Sequence, residues 1–196
     1  MNPDWQKFYE ITKNRPPSDL LIRAMNFVEK RDNALDLGSG ALKDSKYLVK
    51  AGFKKVFAVD QEKPPADILQ EIAGEHIISV ITKFDEFEFP PNKFDLINAQ
   101  YSLPFNSPTS FPKVWDNIKN SLSPRGVFTG QFFGDRDEWN NSDTSMIFNS
   151  RKQAEQLLAD LEVLELTEEE KDGQTADGSP KYWHVFHVIA KRRKLK

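Results

Sequence analysis

The strongest constraint on the fold is the alternation of short apolar runs with helical patterns between residues 18 and 133. Apolar runs of this length, rich in β-branched and aromatic residues, are typical of buried strands. Five are predicted, at residues 33–37, 55–59, 76–81, 94–99 and 127–133. Helical patterns separate them, so the strands should be parallel, with helices on both faces of one sheet. We therefore expect an α/β fold with a doubly wound, mostly parallel sheet.

The end of the chain departs from this alternation. Two more strands are predicted at residues 163–167 and 182–190, joined by a charged connection with glycines at residues 168–181. Strands joined by a hairpin are antiparallel, so we expect seven strands with an antiparallel C-terminal hairpin. Ser123-Pro124-Arg125-Gly126 is typical of a turn, and residues 134–149 are predicted to form a loop with one helical turn. Helices are predicted at residues 3–30 (interrupted at Arg15-Pro16-Pro17), 42–50, 64–73, 112–122 and 150–158.

Length and composition limit the organisation and the environment. A chain of 196 residues suits one domain over residues 1–196. A basic tail at residues 191–196 carries five positive charges, and without it 22 basic residues face 30 acidic ones. This acidic body disfavours nucleic acid as a partner. The absence of cysteine excludes disulfides and thiolate metal sites. With neither an apolar run of about 18 residues nor a signal-peptide pattern, we expect a cytoplasmic protein without a membrane partner.

One turn carries the clearest chemical signal. The first predicted strand runs into glycines and then a helix, in the segment Leu35-Asp36-Leu37-Gly38-Ser39-Gly40. Glycines let a backbone turn sharply and approach a ligand, and the carboxyl ends of the strands are where open α/β sheets bind ligands. Asp60 ends the second strand, and a carboxylate there can accept hydrogen bonds from a ribose diol. The pattern therefore predicts a cofactor that contains ribose.

Four segments in this order resemble the motifs of class I S-adenosylmethionine-dependent methyltransferases. They are Leu35-Asp36-Leu37-Gly38-Ser39-Gly40, Val59-Asp60, Phe94-Asp95-Leu96-Ile97 and Leu122-Ser123-Pro124-Arg125-Gly126. The likeness covers residues 18–190, and within the family it is similar to small single-domain members such as the tellurite-resistance methyltransferases. It implies methyl transfer from S-adenosylmethionine to a small-molecule acceptor, with S-adenosylhomocysteine as product and no metal.

The resemblance also implies roles for individual residues. Gly38 and Gly40 would surround the methionine part of the cofactor, and Asp36 would face its amino group. Asp60 would hold the ribose hydroxyls. The full implied set of cofactor contacts is Asp36, Gly38, Ser39, Gly40, Asp60, Gln61, Phe84, Asp85, Ala99 and Gln100. Gln61, Phe84 and Asp85 would border the adenine, whereas Ala99 and Gln100 would border the methyl group. Leu42 departs from the pattern, because the family often has a third glycine there.

The acceptor side is predicted from aromatic residues. Tyr9, Tyr101 and Phe105 are the leading candidates, because the N-terminal segment at residues 1–30 and the segment after the fourth strand should close over the cofactor. Four more aromatic candidates are Trp5, Phe132, Phe133 and Trp139, and core packing remains the alternative for every ring. Neither a catalytic base nor a metal site is assigned. His184 and His187 are an odd number of positions apart in a strand, so they should point to opposite faces.

Two alternatives stay open on the sequence alone. A nicotinamide-dinucleotide-dependent oxidoreductase also uses a strand–glycine–helix turn followed by an acidic residue. Against it, Lys43 stands where the dinucleotide pattern has its third glycine. The other alternative is a non-catalytic, cofactor-binding partner module, which Leu42 and the unassigned base leave open.

Overall fold

The structure is a computed structural model that describes residues 5–64, 67–68, 76–141 and 144–194. Within these residues one sheet has eight strands. The strands are β1 (Asn33–Leu37), β2 (Lys55–Asp60), β3 (Ile77–Ile81), β4 (Phe94–Ala99), β5 (Leu122–Gly134), β6 (Phe148–Asn149), β7 (Leu161–Gln174) and β8 (Pro180–Arg192). The helices are α1 (Trp5–Thr12), α2 (Asp19–Ala24), α3 (Lys43–Lys50), α4 (Phe111–Ser121) and α5 (Arg151–Leu157). Short 3₁₀ helices lie at Met25–Phe27 and Leu103–Phe105.

The strand order is β3-β2-β1-β4-β5-β8-β7, and β6 adds a short pairing to β5. β1 to β5 pair in parallel, whereas β8 is antiparallel to both of its neighbours. The predicted α/β sheet with an antiparallel C-terminal hairpin is therefore confirmed. The eighth strand, β6, falls in a segment predicted to be a loop.

Two apolar layers hold the helices on the sheet. Successive strand residues point to opposite faces, so Leu35 and Phe128 join one cluster while Ala34 and Val127 join the other. The first cluster buries α4 and α5, through residues such as Trp115. The second buries α2 and α3. All six residues of β4 are buried, as expected for a strand covered on both faces.

Two sequence predictions about turns are wrong. Residues 123–126 do not form a separate turn but lie inside β5, where the register against β4 shifts between Phe94 and Leu96. Arg125 has a φ of 67° there, so residues that favour a turn form a bulge instead. The connection predicted at residues 168–181 is mostly strand, because β7 and β8 stay paired up to Gln174 and Pro180.

Other predictions about element bounds are confirmed or shifted by small amounts. β1 and β4 have the predicted limits, α3 begins one residue later than predicted, and α4 and α5 differ by one residue at each end. The helix predicted to extend to residue 30 ends at Ala24 and is followed by the 3₁₀ helix Met25–Phe27. The predicted helix at residues 64–73 lies largely outside the described residues. Lys191 and Arg192, which begin the basic tail, belong to β8, and residues 195–196 are not described. The carboxyl ends of β1, β2 and β4 lie together in this sheet, which brings Leu37, Asp60 and Ala99 to one edge.

Candidate functional site

The glycine turn after β1 is held against β2. The backbone N–H groups of Gly38 and Ser39 both donate to the carbonyl oxygen of Val59, at 2.8 and 3.2 Å. Gly38 has a φ of 75°, and a Cβ there would overlap the Cβ of Ser102. The Ser102 hydroxyl donates to the carbonyl oxygen of Leu37 at 2.7 Å. Gly38 is therefore required by the loop after β4 as well as by its own backbone conformation.

Asp60 lies at the end of β2, and its buried carboxylate faces this turn. Its Oδ2 accepts a hydrogen bond from the backbone N–H of Gly40 at 2.8 Å. Its Oδ1 accepts from the N–H of Glu62 at 3.0 Å and from the hydroxyl of Tyr9 at 2.9 Å. Burial raises the pKa of Tyr9 far above its usual value, and the charge of Asp60 adds to the shift. Tyr9 is therefore protonated at neutral pH and is the donor.

Tyr9 belongs to α1, and its ring covers the turn. A Cβ on Gly40, whose φ is 50°, would be 3.3 Å from Cε1 of Tyr9. Tyr9 also packs in a small buried cluster with Ala41, Leu42, Ala58 and Ile68. α1 thus closes the glycine turn from outside the sheet.

Leu42 has a glycine-like backbone conformation at the position where the family pattern often has a third glycine. Its φ of 61° and ψ of 17° are left-handed, a conformation that glycine adopts most easily. Its side chain is fully buried in the cluster with Tyr9. The backbone therefore keeps a conformation that suits glycine, and the leucine contributes packing under α1.

Asp36 is buried below the turn. Its Oδ2 accepts from the hydroxyl of Ser45 at 2.6 Å, and its Oδ1 accepts from Nδ2 of Asn98 at 2.8 Å. Burial raises the pKa of Asp36 to about 7, with repulsion from Asp44 as the second cause. Both carboxyl oxygens therefore contact the chain's own side chains, which makes Asp36 a support for Asn98 and α3.

A line of buried and half-buried side-chain amides continues from Asp36 to the loop after β4. Oδ1 of Asn98 accepts from Nε2 of Gln100 at 2.8 Å, and Oε1 of Gln100 accepts from Nε2 of Gln131 at 2.9 Å. Oε1 of Gln131 then accepts from the backbone N–H of Tyr101 at 2.8 Å. Sequence reasoning missed Gln131, although a glutamine in the middle of an apolar strand was a usable signal.

The remaining predicted cofactor residues differ in burial. Gln61 and Asp85 are exposed, and Phe84 is half-buried against the larger apolar cluster. The backbone N–H of Thr82 donates to the carbonyl oxygen of Asp60 at 2.9 Å, which ties the segment after β3 to the end of β2. Ala99 is fully buried, and its side chain belongs to the core.

Tyr101 and Phe105 meet in one group of rings, which we call the aromatic wall. It comprises Trp5, Tyr101, Phe105, Phe133, Trp139 and Trp183. Neighbouring ring centroids are between 5.1 and 6.3 Å apart, as in the Trp5–Phe105 and Tyr101–Phe133 pairs. Trp183 was missed from the sequence. Phe132 instead packs in the core against Trp115.

A buried ion pair lies against the aromatic wall. Nζ of Lys181 is 2.6 Å from each carboxylate oxygen of Asp137, and both side chains are almost fully buried. The same ammonium is 3.6 Å from the ring centroid of Trp183 and 4.3 Å from that of Trp139. Asp137 also accepts from the backbone N–H groups of Trp139 and His184, at 3.0 and 3.2 Å. The pair therefore fixes the segments that carry two of the six rings.

Among the described residues, Glu168, Glu170 and His184 are close enough together to ligate a metal ion. The guanidinium of Arg136 contacts both glutamates, at 2.9 and 2.7 Å. Nε2 of His184 is 2.9 Å from Glu168, and its Nδ1 accepts from the backbone N–H of Arg136. The guanidinium of Arg136 thus supplies the positive charge between the two glutamates.

None of the helices in the described part of the chain has the length and apolar character needed to cross a membrane.

Comparison with known proteins indicates a methyltransferase domain within the chain. Residues 34–126 match a family model described as a methyltransferase domain. No curated protein sequence matches the chain. No comparison supports the nicotinamide-dinucleotide alternative.

Solved structures share the fold at low identity. TehB from Haemophilus influenzae is 16% identical with a TM-score of 0.76, over 96% of this chain and 67% of TehB. The N-methyltransferase NodS from Bradyrhizobium japonicum, in complex with S-adenosylhomocysteine, is 17% identical with a TM-score of 0.66, over 97% and 99% of the two chains. A Burkholderia thailandensis 1,6-didemethyltoxoflavin N1-methyltransferase, with its namesake ligand and S-adenosylhomocysteine bound, is 18% identical with a TM-score of 0.63, over 90% and 79%. The family model thus identifies residues 34–126 as a methyltransferase domain, and the solved methyltransferase structures share the fold of the chain.

Proposed function

We propose that this methyltransferase binds S-adenosylmethionine at the glycine turn and transfers its methyl group to a small-molecule acceptor at the aromatic wall. The observation that carries the proposal is the Asp60 carboxylate, which lies 2.8 Å from the backbone N–H of Gly40 at the carboxyl edge of the sheet. A carboxylate in this position can accept hydrogen bonds from a ribose diol. Binding there requires the Tyr9 hydroxyl to leave Oδ1.

The proposed cofactor contacts follow the turn outwards from Asp60. Gly38, Ser39 and Gly40 present backbone to the methionine part, and Asp36 supports this side through Asn98. Gln61, Phe84 and Asp85 border the adenine, and the tie between Thr82 and Asp60 supports this placement. Gln100 and the backbone of Ala99, whose side chain lies in the core, border the methyl group. No metal is assigned a role.

When bound, the cofactor supplies an electrophilic methyl group on a sulfonium, which is a good leaving group. The task left to the protein is to hold the acceptor in line and to exclude water. The Gln100–Gln131 pair fixes the backbone of Tyr101, whose φ of 53° is left-handed. The ring of Tyr101 packs against Phe133 and Trp183 in the aromatic wall. An acceptor that holds a proton at neutral pH would need a base, and burial raises the pKa of Tyr101 to about 12, so its hydroxyl stays protonated.

The composition of the chain agrees with a small-molecule acceptor and with a cytoplasmic location. The body of the chain is acidic, which is unfavourable for binding a phosphate backbone. The absence of cysteine suits a reducing compartment such as the cytoplasm.

We also propose that residues 1–196 form one domain, in which the N-terminal segment at residues 1–30 covers the cofactor through Tyr9.

Calorimetric titration with S-adenosylmethionine, S-adenosylhomocysteine and NAD tests the cofactor assignment. We expect the first two to bind and NAD not to bind. Asp60→Ala should weaken binding of S-adenosylhomocysteine about 100-fold, because two charge-assisted hydrogen bonds are lost. Asp32→Ala is the matched control, since Asp32 precedes β1 and pairs with Lys54 on the surface. Unchanged affinity in Asp60→Ala would remove the ribose assignment, and binding of NAD alone would overturn the function.

A further inference from the structure

The aromatic wall is built from distant parts of the chain at the carboxyl edge of the sheet. Tyr101 and Phe105 follow β4, Phe133 is near the end of β5, and Trp183 is near the start of β8. Phe133 is buried, whereas the other rings keep exposed surface, and Tyr101 is 42% exposed. Half-exposed rings held at fixed angles offer contact area to a flat molecule at little cost in conformational entropy.

The charge on the wall is already balanced. The ammonium of Lys181 fills the cation position in front of Trp183 and Trp139, so an external cation has no place in this cage. Asp137 neutralises Lys181 through both of its oxygens. An anionic acceptor therefore finds no unpaired positive charge behind these rings.

The polar groups beside Tyr101 are also uncharged or paired. The ring of His187 is 6.5 Å from that of Tyr101, and burial lowers the pKa of His187, so the imidazole is neutral near pH 7. Glu169, whose carboxylate is 3.7 Å from Nε2 of His187, is paired with Lys171 at 2.7 Å. Hydroxyl and imidazole thus offer hydrogen bonds without net charge.

These observations converge on one kind of ligand. We propose that the methyl acceptor is an uncharged, planar aromatic molecule, which packs against the aromatic wall next to Tyr101. This inference rests on the proposed function for its location. Recognition comes from ring contacts, with Tyr101 and His187 orienting the polar substituents. Saturated molecules of similar size and anionic aromatic molecules should bind less well.

Three matched probes test the inference: 2-naphthol, its saturated counterpart 2-decalol, and the anion 2-naphthoate. Each is titrated by calorimetry into the full chain, with and without saturating S-adenosylhomocysteine. We expect 2-naphthol to bind about tenfold more tightly than either other probe, because aromatic pairs add stabilisation beyond their buried area. Equal binding of 2-decalol, or tighter binding of 2-naphthoate, would overturn the proposal.

Variants locate the binding. Trp183→Leu and Trp139→Leu should each remove the preference for 2-naphthol. Tyr182→Leu is the control, because Tyr182 neighbours Trp183 on β8 but points to the other face and binds Glu170. A preference that survives in both tryptophan variants would contradict the assignment of the site, and Tyr182→Leu should keep it.

S-adenosylhomocysteine separates this inference from the proposed function. Binding of S-adenosylhomocysteine to both tryptophan variants with unchanged affinity confirms that they are folded. Absence of that binding in the natural chain, with the naphthol preference intact, contradicts the proposed function and leaves the aromatic site standing. Binding of S-adenosylhomocysteine without any naphthol preference contradicts the inference alone.

Discussion

The hydroxyl of Tyr9 donates a 2.9 Å hydrogen bond to Oδ1 of Asp60, between residues 51 positions apart in sequence. The oxygen that it contacts is one that a ribose hydroxyl would use in the proposed complex. Tyr9 and the cofactor therefore compete for one side of the same carboxylate. Cofactor binding therefore requires the Tyr9 hydroxyl to leave Oδ1 of Asp60.

Tyr9→Phe tests this competition. Loss of the hydroxyl removes the competing donor but keeps the ring over Gly40, so S-adenosylhomocysteine should bind about three- to tenfold more tightly. Calorimetric titration at pH 7.5 measures the change. Tyr47→Phe, which alters a half-buried tyrosine of α3, should leave the affinity unchanged. Weaker binding in Tyr9→Phe would mean that the hydroxyl contacts the cofactor instead.

Asp36 should make stability depend on pH. Its pKa is raised to about 7 in the folded chain, against about 3.9 when unfolded, so the native state holds a proton that the unfolded state has lost. Stability is then greatest below about pH 4 and falls as pH rises towards 7, by at most about 1.4 kcal/mol per pH unit. Asp36→Asn cannot titrate, so its advantage over the natural chain should grow across this window. Urea unfolding between pH 4.5 and 8 measures it, and parallel stability curves would count against the raised pKa.

Leu42→Gly restores the glycine of the family pattern, yet it should destabilise the fold. The variant relieves a left-handed leucine, worth about 1–2 kcal/mol. It also removes a fully buried side chain, at a cost of about 3–5 kcal/mol. We expect a net loss of about 2 kcal/mol in urea unfolding. Asn92→Gly, at an exposed position with a φ of 55°, should change stability by less than about 1 kcal/mol. A stabilised Leu42→Gly would show that strain outweighs packing here.

Lys181→Met should strongly destabilise the chain, because it leaves the buried carboxylate of Asp137 without its partner. Breaking a buried pair in this way costs about 3–5 kcal/mol. Combining Lys181→Met with Asp137→Asn removes the unpaired charge and should recover much of the loss. Lys171→Met, which breaks a surface pair with Glu169, should cost less than about 1 kcal/mol. Chemical unfolding of the three variants checks this, and equal losses in the two single lysine variants would contradict the burial argument.

The sequence predicted correctly those helices and strands whose limits depend only on the residues next to them in the chain. β1 and β4 were predicted with correct limits because each is a short apolar run between turn residues. The bulge in β5 was not, because Ser123 to Gly126 have the composition of a turn and only pairing with β4 reveals a strand. The length of β7 was underestimated for a related reason. Its glutamates are polar, but Arg136 binds Glu168 and Glu170 from the segment after β5.

The residues of the candidate site also fall into two groups, those with a local sequence pattern and those placed by long-range contacts. Asp60 and the glycine turn were predictable because strand ends and glycines are visible in a local pattern. The contact of Tyr9 with Asp60 depends on how α1 docks, and the pair of Lys181 with Asp137 joins positions 44 apart. Neither has a local signal. Leu42 was recognised as a departure, but only its φ shows that the backbone keeps a left-handed conformation.

The position of β8 has a consequence for synthesis. Of the eight described strands, β8 is the last to be translated, yet it lies between β5 and β7. Until residues 180–192 emerge, the nascent chain exposes the apolar edge of β5 that β8 later covers, and an unpaired edge of this kind invites association with other chains. The sheet is thus completed only after residues 180–192 have been translated. Chains that stall or end before this point are therefore prone to aggregation.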